Sequence, residues 1–149
     1  MEVRAFDMFC GAGGSSCGAR QAGATIAGGI DLWPLATQTF QLNFPEAKVY
    51  TANLVDMAPE ELARDVGRVD LLLASPECTH HSVAKGGKPR DEASKRLAFE
   101  VVRFARVLRP RWVVVENVIQ MQRWSSFPHR LGIVVGPGIS DQDDQAGRV

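Results

Sequence analysis

Three cysteines, at positions 10, 17 and 78, are all that the 149-residue chain has. So sparse and odd a set excludes a disulfide framework as the source of stability. Long apolar runs are missing as well: none approaches the ~20 residues a membrane span needs. There is no secretory leader pattern. Met1-Glu2-Val3-Arg4 runs straight into an apolar segment too short for one, and no small-residue cleavage site follows. The chain therefore reads as intracellular: cytoplasmic, and nucleoid-associated if bacterial. Excess charge is also lacking, with 17 basic against 17 acidic residues. That balance disfavours a complete, strongly basic DNA-binding module and leaves room for a local basic patch. There are no internal repeats. Cys78, His80 and His81 have no second paired-ligand cluster to complete four-ligand zinc, and His129 stands apart, so no metal is expected.

What is present is an ordinary globular composition, 45% hydrophobic and 23% charged, in a chain long enough for one domain with a core. Short apolar segments alternate with helical ones. Val3–Phe9, Thr25–Ile30, Lys48–Thr51, Val69–Ala74 and Trp112–Val115 read as strands. Their apolar residues run on without alternating, as in strands buried on both faces of a parallel sheet. Ser15 or Ser16 is placed to cap a short helix ending near Gly23. Pro34 and Pro59 suit the first turns of helices running to about Asn43 and Val66. Asp91 is placed to cap a longer helix to about Leu108, whose Leu97, Val101, Ala105 and Leu108 recur at helical spacing. This order predicts an α/β fold with a doubly wound, mostly parallel sheet and helices on both faces.

The first strand runs into Asp7-Met8-Phe9-Cys10-Gly11-Ala12-Gly13-Gly14-Ser15-Ser16, a glycine-rich turn between strand and helix. Glycines there let a backbone turn sharply and approach a ligand. Asp31 follows Gly11 by 20 residues, where a carboxylate can accept hydrogen bonds from ribose hydroxyls. A dinucleotide fingerprint would need a third glycine at position 16, which is serine. A nucleoside cofactor without a pyrophosphate, such as a methyl donor, has no such need. A tight turn with no ligand is the plain alternative.

Ligands of open α/β sheets sit beyond the carboxyl ends of the strands. Two reactive groups stand at such ends. Ser75-Pro76-Glu77-Cys78 follows the fourth strand, and Glu116-Asn117-Val118 closes the fifth. Glu116, emerging from an apolar strand, is expected to be partly desolvated and able to donate a proton. Cys10 and Cys17 read as small core or loop residues.

Together, Phe9-Cys10-Gly11-Ala12-Gly13-Gly14, Pro76-Glu77-Cys78 and Glu116-Asn117-Val118, in this order and spacing, resemble the cytosine-5 DNA methyltransferases over roughly residues 3–124. Asn43-Phe44 and the segment carrying Leu97 and Phe99 fit the same family. The resemblance implies the Rossmann-like fold of S-adenosylmethionine-dependent methyltransferases, incomplete at the C-terminus. It also implies methyl transfer from S-adenosyl-L-methionine to carbon 5 of cytosine in double-stranded DNA, with the target base flipped out. Cys78 would add to carbon 6, Glu116 would hold ring nitrogen N3, and Asn117 would help position the active-site strand and loop. Phe9 would pack on the adenine and Asp31 would hold the ribose. Gly11 and Gly13 would line the methionine end, and Leu97 would add apolar contact. Ala12, Gly14, Leu32, Asn53, Leu54 and Pro76 complete the implied cofactor set. Ser82 and the basic loop residues Lys85, Lys88 and Arg90 are candidate DNA contacts, a merely solvated loop being the alternative for the latter.

The sequence departs from the family in places. Glu77 replaces the usual second proline, and a carboxylate beside Cys78 disfavours the thiolate. Asn53 stands where an aspartate is common. No Gln-x-Arg-x-Arg motif follows; Gln120-Met121-Gln122-Arg123 does not match it. The expectation is a partial catalytic domain over 1–124, inactive alone, followed by an atypical mobile tail over 125–149 from truncation, a frameshift or a split gene. A non-catalytic or split-enzyme module that pairs with a second chain, and an RNA cytosine-5 methyltransferase, are the alternatives.

Overall fold

The computed structural model describes residues 2–76, 92–117 and 133–136. Its strands are β1 (Arg4–Met8), β2 (Thr25–Asp31), β3 (Lys48–Thr51), β4 (Leu71–Ala74), β5 (Trp112–Glu116) and β6 (Ile133–Gly136). The helices are α1 (Gly14–Gln21), α2 (Pro34–Asn43), α3 (Pro59–Val66) and α4 (Glu92–Leu108), with a 3-10 turn at Leu54–Asp56. The strands form one sheet in the order β3-β2-β1-β4-β5-β6, and every neighbouring pair is parallel. This is the doubly wound fold that the alternating pattern predicts.

β1 lies at the centre, and its alternate residues face opposite sides. Phe6 and Met8 join Ile30, Leu62, Leu72, Val101 and Phe104 in the larger core, beneath α3 and α4. Ala5 joins Ile26, Phe40 and Phe44 in the smaller one, beneath α1 and α2. β2 carries glycines because its neighbours crowd it. A Cβ at Gly28 would meet the Lys48 carbonyl oxygen at 2.3 Å and the Phe6 ring at 2.9 Å. On α4, Val101 and Ala105 are buried as the spacing requires, and so is Phe104.

Differences from the sequence reading have local causes. β4 begins two residues later than expected. Asp70 is drawn off instead: its carboxylate accepts the Arg4 amide, and its carbonyl accepts the amides of Arg111 and Trp112. Neither Ser15 nor Ser16 caps α1. Gly13, in left-handed conformation with φ 96°, occupies that position and has no side chain to offer. The Ser16 hydroxyl is turned to the sheet instead, donating to Asp7 Oδ2 at 2.7 Å. β6 is a strand where the sequence pattern gave none. The expected Asp91 cap lies outside the described residues, as does most of the 125–149 segment expected to be mobile.

Candidate active site

The strand order reverses between β1 and β4, and the loops leaving their carboxyl ends open a crevice there. The chain leaves β1 through Phe9 at φ 59° and Gly11 at φ 51°. A bulky residue with positive φ is strained, and such strain gathers where a site over-determines the backbone. Phe9 lines the crevice. The loop beyond it is fixed by four bonds. Cys10 N–H donates to the Ile30 carbonyl, Gly13 N–H to the Cys10 carbonyl, and Gly11 N–H to Asp31 Oδ2 at 2.9 Å. Asn43, at the end of α2, donates to the Ala12 carbonyl at 2.9 Å. Gly13 is needed for packing too, since a Cβ there would lie 2.5 Å from the Phe44 ring.

The crevice is a cleft of about 550 Å³. Phe9, Asp31, Leu32, Asn53, Leu54 and Leu97 line it, bringing together residues from five loops and helices. Gly11, Ala12, Gly13, Gly14 and Pro76 do not; the glycines shape the β1–α1 turn beside it. Sequence reasoning missed Trp33, Pro34, Ala52 and Ser75 in its wall. The Trp-Pro pair that begins two residues after Asp31 was an available signal. Trp33 is 62% exposed, a large apolar group left at a cleft mouth.

Asp31 does more than face the cleft. Its Oδ1 accepts the Trp33 amide at 2.9 Å while Oδ2 holds Gly11, so one carboxylate ties the β1 and β2 loops together. Each oxygen keeps a second acceptor position for a ligand hydroxyl. Asn53 Oδ1 is engaged as the cap of the 3-10 turn, accepting the Val55 amide.

On the other side of the crossover, Glu116 is exposed, not partly desolvated as expected, because it ends its strand at the crevice. Its Oε2 accepts the hydroxyls of Ser75 at 3.2 Å and Ser15 at 3.3 Å. Asn117 is buried, and its Nδ2 donates to the Pro76 carbonyl at 2.8 Å. It thus anchors the chain two residues before Cys78. Cys78 itself, Ser82, Lys85, Lys88 and Arg90 lie outside the described residues.

Beneath both halves lies Asp7, 1% exposed, whose Oδ1 has no partner among the described residues. Burial pushes its carboxyl up to about 6, against the bonds from Ser16 that lower it; the like charges of Glu116 and Asp31 add to the rise. The Cys10 thiol is likewise pushed up, by burial and then by Asp7 and Asp31, which suits an inert core cysteine. Among the described residues no group of three His, Cys, Asp or Glu side chains is placed to hold a metal. No described helix is long and apolar enough to cross a membrane.

The family model of the C-5 cytosine-specific DNA methylases matches residues 3–126. The chain belongs to this family. It is 31% identical over 116 residues to the type II methyltransferase M.XorII of Xanthomonas oryzae pv. oryzae, covering 75% of this chain and 27% of that protein. It is 33% identical over 121 residues to M.HgiGI of Herpetosiphon aurantiacus, covering 78% of this chain and 90% of that one. The first relatives matched, M.XorII and M.DdeI, are thus spanned over only about a quarter of their length. Among solved structures, the Dnmt2 methyltransferase of S. pombe superposes with a TM-score of 0.63 at 16% identity, over 83% of this chain and 36% of that one. DNMT2 of Spodoptera frugiperda gives 0.62 at 22% identity, over 83% and 38%. These likenesses show that the methylase chain has the methyltransferase fold.

Proposed function

We propose that the chain provides the methyl-donor cleft and the reactive groups for transfer of a methyl group from S-adenosylmethionine to carbon 5 of cytosine in double-stranded DNA. One observation carries the reading. A cleft of about 550 Å³ with an acidic residue at its wall opens beside a strand-end glutamate, and Ser75 belongs to both. The donor set fits a nucleoside: Phe9, Leu32, Leu54 and Leu97 offer apolar surface, and Asp31 and Asn53 offer the few polar contacts that orient a ligand. When bound, S-adenosylmethionine supplies an electrophilic sulfonium methyl. Phe9 packs against the adenine and Asp31 accepts from the ribose. The glycine turn over Gly11, Ala12, Gly13 and Gly14, with Pro76 opposite, borders the methionine end.

In this reading Cys78 adds as a thiolate to carbon 6 of a flipped cytosine and makes carbon 5 nucleophilic. Glu116 hydrogen-bonds ring nitrogen N3 and stabilises the charge that develops. Loss of the carbon 5 proton and elimination of Cys78 restore the ring. Asn117 supports the start of the cysteine loop through Pro76. Ser82, Lys85, Lys88 and Arg90 contact the DNA backbone.

Titration calorimetry tests the cleft: S-adenosylmethionine binds, NAD does not, and Asp31→Ala weakens binding about tenfold, the worth of one charge-assisted hydrogen bond. Binding of NAD in preference to S-adenosylmethionine overturns the reading. A covalent trap on duplex DNA carrying 5-fluorocytosine tests the nucleophile, and Cys78→Ser abolishes the adduct. In a second reading the chain pairs with a second chain, and the trap forms only when the two are mixed. Trapping on tRNA instead of duplex DNA would assign an RNA substrate.

A further inference from the structure

Glu116 is the one proposed reactive group whose side chain the structure describes in contact with others, and both contacts fall on the same atom. Ser75, from the end of β4, and Ser15, from the first turn of α1, direct their hydroxyls at Oε2. These positions lie 41 and 101 residues from Glu116 in sequence. Exposed carboxylates on flexible side chains ordinarily sample several rotamers, which costs a reaction its geometry. Here two donors from two different elements bracket one oxygen. We propose that Ser15 and Ser75 are positioning residues that clamp the Glu116 carboxylate and present Oε1 toward the base.

The chemistry follows from the inventory of hydrogens. A hydroxyl has one proton to donate and two lone pairs to offer. With both hydroxyl protons directed at Oε2, the proton that Glu116 exchanges with a substrate sits on Oε1. Ser75 also lines the nucleoside cleft, so its hydroxyl oxygen is available to accept from a ligand there while its O–H donates to Glu116. A ligand that donates to Ser75 strengthens the Ser75–Glu116 bond through polarisation. Ser75 thereby makes the carboxylate sensitive to an occupied cleft, and Ser15 holds it from the glycine-loop side. The inference rests on the proposed function for the identity of the ligand and the base, and on the described contacts alone for the clamp.

The test is NMR of the chain with 13C-labelled glutamate, Glu116 being assigned by loss of its signals in Glu116→Gln. In the wild type the two γ-methylene protons of Glu116 are distinct, because the carboxylate is held. In Ser15→Ala/Ser75→Ala their shift separation shrinks, and Ser15→Thr/Ser75→Thr, which keeps both hydroxyls, restores it. Adding S-adenosylhomocysteine to saturation shifts the Glu116 signals in the wild type but not in Ser75→Ala. Identical Glu116 signals in wild type and Ser15→Ala/Ser75→Ala overturn the clamp. Equal ligand-induced shifts in wild type and Ser75→Ala overturn its link to the cleft. If S-adenosylhomocysteine fails to bind the wild type, the functional reading fails and the link to the cleft with it, while the ligand-free comparison still decides the clamp.

Discussion

The two halves of the sheet meet at the same crossover but are held together by different means. On the β1–β3 side the loops are tied through the backbone. Asp31 takes the amides of Gly11 and Trp33, Ile30 takes that of Cys10, and Asn43 reaches a main-chain carbonyl. On the β4–β5 side, besides the Ser75 amide on the Met8 carbonyl, the described ties at the crevice run from side chains: Ser75 and Ser15 to Glu116, and Asn117 to Pro76. Backbone ties need glycine, a turn and one acidic residue at a set distance, so they leave a pattern in the sequence. Side-chain ties between strand ends need only that the ends be neighbours, which a fold supplies. The first half is therefore held by ties that leave a trace in the sequence, and the second by ties that only the fold brings together.

The contrast breaks most readily on the β1–β3 side. Phe40 is fully buried between α2 and β2 and packs on Phe44, so Phe40→Ala should cost about 3–5 kcal/mol in a urea melt. Leu42, 83% exposed on the same helix, should change stability by less than about 0.5 kcal/mol on truncation to Ala. Equal effects would mean that α2 does not pack as described.

Asp7 lies under both halves and gives a pH test. Its carboxyl is pushed up from 3.8 to about 6 in the fold, so between those values the folded chain holds more protons than the unfolded one. Stability contributed by Asp7 is therefore present below about pH 4 and falls as pH rises through about 6, by about 3 kcal/mol in all. The groups held low, Asp65 and Asp70, act in the opposite sense at lower pH, so the difference between wild type and Asp7→Asn isolates the effect. Urea melts at pH 4, 5, 6 and 7 should show the wild type losing about that amount relative to Asp7→Asn as the pH rises across the window. A constant difference would place Asp7 in water.

Asn117 tests the β4–β5 side. Asn117→Ala leaves the buried Pro76 carbonyl without this donor and should cost about 1–3 kcal/mol, with faster amide exchange at the end of β4 and little change around Asp31. Exchange quickening equally in both halves would remove the distinction between them. A smaller loss than at Asn117 belongs to Asn53, whose removal as cap of the 3-10 turn should cost about 1 kcal/mol in a melt of Asn53→Ala. Asn53→Asp keeps the acceptor and should be nearly neutral.

By itself the sequence determined the parallel sense of β1 to β5, the starts of α2 and α3 at their prolines, and the place of Asp31 at a strand end, while Phe9, Leu32, Asn53, Leu54 and Leu97 were named through the family resemblance. These are legible because apolar continuity, proline and glycine act locally, and because a strand end is a fixed address in such a sheet. It also carried the family, through three short motifs on three strand ends. Only the tertiary structure decided that Gly13 rather than a serine sits at the cap of α1 while Ser16 bonds Asp7, that Trp33 and Ser75 complete the cleft, and that Glu116 is exposed and bracketed by two hydroxyls. The physical reason is distance along the chain. A hydrogen bond spanning 101 residues leaves no periodicity to read, and it comes into being when folding sets two strand ends and a helix start side by side.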